Sequence, residues 1–230
     1  PDQIVRPHNQ HLHEPLTLMA YLAALTEKIE LTPSVIVLPL RQTIIVAKQA
    51  AEIDLLSGGR LRLGIGVGDS EEEYNFMGES YKTRGKKCDE QMKFLKELWS
   101  KKSVNFSGTW HNIHDVGINP LPIQRPIPMW IGAKASPSKN VINRIATLSD
   151  GWFVLCTPEE FLILQTKIND VAKAMGRDST AIGTEAGVAV VGGREHEWEN
   201  RVKIWKMMGL SHLCIRTLGG ELSPKQHLDK

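Results

Sequence analysis

Three cysteines are too few and too scattered to hold this chain together. Cys88, Cys156 and Cys214 are odd in number and share no CxxC spacing. That excludes a disulfide framework and a cysteine-built zinc site, and it fits a reducing cytoplasm. Basic runs are also missing. Lys and Arg number 28 against 26 Asp and Glu, and the net charge of +2 is spread along the chain. No stripe is available to track a phosphate backbone, so nucleic acid is not expected as a partner. No window reaches the roughly 18 apolar residues of a membrane span, and the N-terminus has no basic-then-apolar leader, so no membrane is expected either. There is no low-complexity segment and no repeat longer than a strand–helix unit. The chain begins at Pro1 without a Met, which suggests a fragment.

What is present suits one large α/β core. The 230 residues are 41% hydrophobic and 23% charged, near the usual size of one α/β barrel, and 1–230 reads as a single domain. From Glu14 onward helical and strand patterns alternate. Residues 15–28 read as a helix opened by Pro15, with Leu18, Leu22 and Leu25 on one face. Residues 29–38 read as a strand covered on both faces. Thr43 can cap a second helix with Ile44, Ala47, Ala51 and Leu55 on one face, ended by Gly58–Gly59. Strand 60–67 leads to Ser70 and Glu73 at capping-box spacing, then to a longer helix with Cys88, Met92, Leu95 and Trp99 in register. Between 101 and 127 three prolines and a hairpin pattern around Gly108 mark an insertion. Strand 128–133, helix 138–149, strand 150–156, helix 158–175, a strand at 181–191, a helix carrying Trp198, Val202 and Trp205, and a strand at 210–217 resume the alternation. The last of the larger helices has Phe161, Leu164, Ile168 and Met175 on one side. With Ile4–Arg6 as a strand end this gives seven strands and six helices, one strand short of a (β/α)8 TIM barrel, and the first strand is the missing one.

In such a barrel the C-terminal strand ends carry the chemistry. Three ends are informative. In GIGVGDS, 64–70, bare glycines let a ring or sugar-like tail approach the backbone, or else serve strand packing. In GAKASPSKN, 132–140, Ser136 can cap, Pro137 can open a helix, and free N–H groups with Lys134 and Lys139 can hold an anion; an ordinary capped helix is the alternative. In LTPSVIVLPLR, 31–41, Ser34 interrupts an apolar strand, as a site residue or as a buried hydroxyl bonded to backbone, and Arg41 closes the next turn. Trp152 either lines a ring pocket or belongs to the core. His8, His11, His13, His111 and His114 lie on irregular segments without acidic companions at ligand spacing, so no metal is expected.

Taken together, EPLTLMAYLAALTEKIEL, SVIVLPLR, AKQAAEIDLLSGGRLRLGIGVG, EEEYNFMG and DGWF resemble the luciferase-like superfamily of flavin-dependent oxidoreductases over nearly the whole chain. The branch most resembled uses the deazaflavin coenzyme F420 and includes methylenetetrahydromethanopterin reductases and sugar-phosphate dehydrogenases. The resemblance implies a TIM barrel with a non-proline cis peptide at Ser34–Val35 against the cofactor ring. It places the backbone of Gly66, Val67 and Gly68 beside the cofactor, and the phosphate at Gly132, Ala133 and Lys134, with Ser136 as a further anchor. Bacterial luciferase has an arginine where Val67 stands, which favours F420 over FMN. Members commonly show an Asp-His pair where this chain has Asp2-Gln3, so the usual imidazole is absent and the catalytic residue is unknown. The short step from Gln10 to His11 points to a missing lid loop.

The expected activity is hydride transfer between F420 and a small organic substrate. The alternatives are an FMN-dependent monooxygenase using reduced flavin and oxygen, and a non-catalytic barrel without cofactor. Helices 43–57 and 83–99 carry enough apolar and aromatic surface for a homodimer, with core packing of the same faces as the alternative.

Overall fold

A computed structural model describes residues 13–217 and 222–229. The expected strand end at 4–6, Asp2-Gln3, His8, and the step from Gln10 to His11 lie outside the described residues. The chain forms two compact units, Pro1–Ile131 and Gly132–Lys230. No helix among the described residues is long and apolar enough to cross a membrane.

In the first unit α1 (Pro15–Leu25) starts where the Glu14 carboxylate accepts from Thr17 N at 2.6 Å. It buries Leu16, Met19 and Ala23, while Leu25 is 62% exposed, so the expected face of Leu18, Leu22 and Leu25 is turned. The helix is apolar on nearly every side, and spacing alone does not select its inner face. The strand expected over 29–38 is reduced to one parallel bridge, Leu31 to Leu61, and to β1 (Ile36–Val37). Pro33 has no N–H to give a ladder, and the Ser34–Val35 peptide is cis. A 3-10 turn, Leu38–Leu40, leads to α2 (Thr43–Ser57).

Thr43 does not cap α2. Its hydroxyl is engaged instead by His111 Nε2 at 2.7 Å and by Gln91 Nε2, which donates at 3.0 Å. The buried face of α2 runs through Val46, Ala47, Ala50, Ala51 and Ile53, so Ala47 and Ala51 point inward as expected and Ile44 is outside. Gly58, at φ 72°, ends the helix in the left-handed conformation that the sequence pointed to. β2 (Leu63–Gly66) then pairs in parallel with β1, Ile36 to Ile65 and Val37 to Gly66.

Ser70 caps α3 (Glu71–Phe76) by accepting from Glu73 N at 3.2 Å. The single long helix expected here is two: Gly78, at φ 69°, separates α3 from α4 (Arg84–Ser100). Cys88, Met92, Leu95 and Trp99 are all fully buried on α4, the register read from their spacing. The insertion contains the antiparallel hairpin β3 (Val104–Ser107) and β4 (Asn112–Val116), followed by cis bonds at Pro120 and Pro126. β5 (Met129–Lys134) pairs in parallel with β2, Leu63 to Met129 and Ile65 to Ile131, and runs on into the second unit.

The second unit continues with α5 (Lys139–Leu148), β6 (Gly151–Leu155), α6 (Pro158–Ala174), β7 (Gly183–Ala189), α7 (Trp198–Met207), β8 (His212–Arg216) and α8 (Pro224–Asp229). β6, β7 and β8 are parallel neighbours in that order. A full capping box at Thr157 and Glu160 starts α6, which buries Phe161, Leu164 and Ile168. Met175, expected on the same side, is 69% exposed just past the helix end. Along β7 Thr184, Ala186 and Val188 are buried, whereas Glu185, Gly187 and Ala189 are half-buried and stand opposite His212, Cys214 and Arg216.

Candidate functional site

The first unit gathers Ser34, Val35, Gly66, Val67 and Gly68 at one strand end. Ser34 is exposed, Val35 half-buried, and Gly66, Val67 and Gly68 are half-buried where β2 leaves the ladder. A Cβ on Gly66 would lie 2.6 Å from Val35 Cγ2, and one on Gly68, at φ +65°, would lie 2.9 Å from Val37 Cγ1. Both glycines therefore make room for side chains of the neighbouring strand. That agrees with the strand-packing alternative left open by the sequence.

The turn after β2 is fixed by groups that the sequence did not single out. The Tyr74 hydroxyl donates to Val67 O at 2.7 Å, Arg84 Nε to Gly68 O at 3.3 Å, and the Tyr81 hydroxyl to Asp69 O at 3.3 Å. Arg84 also stacks 3.6 Å over the Tyr81 ring. Burial pushes the Tyr74 phenol well above its ordinary value, so it stays protonated and remains a donor. The signal was the pair of tyrosines at 74 and 81 after a glycine turn. Arg41, read as closing the next turn, is paired with Glu14 at 2.8 Å.

In the second unit Ala133 is buried at the end of β5, Gly132 is half-buried, and Lys134 and Ser136 are exposed. Ser136 does not cap α5. It precedes Pro137, which holds it away from helical conformation, and the cap position falls to Ser138. Ser138 makes no side-chain cap bond to α5. Ala135 also lines a cleft of 660 Å³ with Cys156, Thr157, Glu160, Arg194 and Arg201. Arg194 is held by Glu197 at 2.5 Å. Burial, and then Glu160, push the Cys156 thiol up to about 11, so it is no nucleophile near neutral pH.

Trp152 is not at a ring pocket. It is fully buried against α6, stacked on Phe161 with ring centroids 5.8 Å apart, and its indole N–H donates to Gln165 at 3.3 Å. Phe161 in turn meets Trp205 edge-on. The core reading of Trp152 replaces the pocket reading, because strand alternation turns this residue toward the helix layer. Among the described residues no group of three His, Cys, Asp or Glu side chains is placed to hold a metal ion. His111 bridges Thr43 and Glu90.

Residues 4–227 match the family model for luciferase-like monooxygenases. The F420-dependent glucose-6-phosphate dehydrogenase of Amycolatopsis mediterranei (strain U-32) is 27% identical over 217 residues, covering 90% of this chain and 63% of that protein. The FMNH(2)-dependent dimethylsulfone monooxygenase of Pseudomonas putida is 28% identical over 145 residues, covering 61% of this chain and 39% of that protein. Among solved structures, an F420-dependent secondary alcohol dehydrogenase in complex with an F420-acetone adduct superimposes with a TM-score of 0.75 at 15% identity, over 88% of this chain and 78% of that one. The chain thus spans from 39% to 63% of the length of these two curated relatives. The fold class is the luciferase-like α/β TIM barrel, as the resemblance implied. The chain belongs to the luciferase-like monooxygenase family.

Proposed function

We propose that this chain binds a flavin-type cofactor and belongs to an oxidoreductase that moves hydride between coenzyme F420 and a small organic substrate. The observation that carries the reading is the N-terminus of α5, where Ser138, four residues after Lys134 in the chain, makes no side-chain cap bond. A helix N-terminus with free N–H groups and a nearby ammonium suits a phosphate, which both F420 and FMN carry. Lys134, with the backbone of Gly132 and Ala133, would hold that phosphate. Ser34, Val35 and the half-buried backbone of Gly66, Val67 and Gly68 would face the ring, in a turn that Tyr74, Tyr81 and Arg84 keep rigid. When bound, the cofactor supplies hydride transfer at C5 of a deazaflavin or N5 of a flavin.

The named relatives include both an F420-dependent dehydrogenase and an FMNH(2)-dependent monooxygenase. Val67 in place of luciferase's arginine favours the deazaflavin. Oxygen uptake separates the two: with reduced F420 the full-length protein is expected to consume no oxygen above the protein-free rate, because carbon replaces N5. Rapid uptake with reduced FMN would promote the monooxygenase reading. Exposed Ile45 and Leu56 on α2 support a homodimer, which sedimentation of the full-length protein reads.

A further inference from the structure

The face of β7 and β8 turned away from the buried Thr184, Ala186 and Val188 carries Glu185, His212, Cys214 and Arg216, paired across the strands as Glu185 to His212, Gly187 to Cys214 and Ala189 to Arg216. Every second residue of HLCIR is thus polar or reactive. Arg216 stands at the C-terminal end of β8, the edge where this fold class keeps its chemistry. Its guanidinium does not extend away from the sheet. It leans back along the strand and lies on Gly187, one pair before its own opposite residue, Ala189. A Cβ on Gly187 would overlap Arg216 Nε and Cζ and lie 2.6 Å from Nη2. Only glycine at 187 lets the guanidinium rest there.

Two other arginines of the unit are engaged. Arg194 is paired with Glu197, and Arg177 donates to Ala146 O at 3.0 Å and Ser149 O at 2.5 Å. Among the described residues Arg216 has no carboxylate, carbonyl or ring partner. An unpaired guanidinium resting on Gly187 keeps its planar fork of donors free for two oxygens of one anionic group.

We infer that Arg216 receives the carboxylate or phosphate of the small-molecule substrate, with Gly187 as its positioning residue. The assignment to substrate rests on the oxidoreductase reading above; the anion site itself does not.

The test is titration of the full-length protein with inorganic phosphate, followed by phosphorus NMR line width, alone and with saturating FMN or F420. Wild type is expected to bind phosphate saturably, Arg216→Gln to weaken it about tenfold, and Arg216→Lys to fall between, since lysine keeps the charge and loses the fork. Gly187→Ala, which displaces the guanidinium, is expected to act like Arg216→Gln. Phosphate binding that persists with cofactor bound supports a substrate site. Unchanged binding in Arg216→Gln would overturn the proposal. Displacement of phosphate by FMN or F420 would overturn the substrate assignment, because the cofactor's own phosphate would then be the occupant. Phosphate bound through Arg216 in a protein that takes neither cofactor would sink the oxidoreductase reading and leave the anion site standing.

Discussion

Glu90→Ala is expected to destabilise the protein by about 3 kcal/mol, because it strands several half-buried donors at once. The Glu90 carboxylate accepts from the backbone N–H groups of Thr109, Trp110 and His111 at 2.7–2.9 Å and from His111 Nδ1 at 2.8 Å. The hairpin turn therefore wraps around one carboxylate of α4. Gly108 belongs to the same device, since a Cβ there would lie 2.5 Å from that carboxyl group. His111 carries the connection on to Thr43, and Gln91 joins it there, so hairpin, α4 and α2 are tied together.

The pH dependence follows from the same contacts. Burial opposes ionisation of Glu90, but the hydrogen bonds from His111, Trp110 and Thr109 outweigh it and hold the carboxyl below its ordinary value. A depressed folded-state value means stability that is complete above the unfolded value of about 4.3 and is lost as pH falls through the folded one. Urea melts at pH 7 and across the acid limb are the check. Wild type should lose more stability than Glu90→Gln as pH drops below the carboxylate range. Equal acid losses would remove Glu90 from this role.

Trp152→Ala is expected to cost about 3–5 kcal/mol, the usual loss for emptying a fully buried tryptophan site. The indole fills the space between β6 and α6, and its loss opens a void beneath Phe161, which also supports Trp205. The folded fraction should bind cofactor as tightly as wild type. Thermal unfolding gives the first quantity and a cofactor titration below the melt the second. A stable variant with weakened cofactor binding would return Trp152 to the pocket.

The sequence-level reading succeeded where a single physical signal decided the matter. Gly58 as a left-handed helix end, Ser70 as a cap, the α4 register of Cys88, Met92, Leu95 and Trp99, and the hairpin around Gly108 each rest on one local rule. It missed where tertiary partners outbid local preference. Thr43 has the chemistry of a cap, yet His111, 68 residues away, takes its hydroxyl. Ser136 yields the cap position because a proline follows it. The inner face of α1 differs from its spacing because apolar residues surround that helix, so packing selects the face, and on α2 Ala47 and Ala51 are buried as expected while Ile44 is outside. The strand at 29–38 looked continuous in composition and is interrupted at Pro33 and Ser34–Val35.

At the candidate site, Ser34 and the glycines of 64–70 stand out as strand ends, the family resemblance adds Val35 and the cofactor role, and the structure brings them side by side. The clamp of Tyr74, Tyr81 and Arg84 has only a weak sequence signal, two tyrosines after a glycine turn, because its bonds run to backbone carbonyls. Arg216 over Gly187 had a faint signal, the alternation of His, Cys and Arg in β8, but its meaning needed the strand register.

The strand ends of this chain are expected to hold a flavin-type cofactor by its ring and phosphate. Fluorescence titration of the full-length protein with F420 and with FMN, repeated with Lys134→Glu, tests it most directly. Saturable binding that favours F420, weakened about tenfold when the ammonium becomes a carboxylate beside the phosphate, is the predicted result. Absence of binding to either cofactor would contradict the account and leave a cofactor-free member of the family.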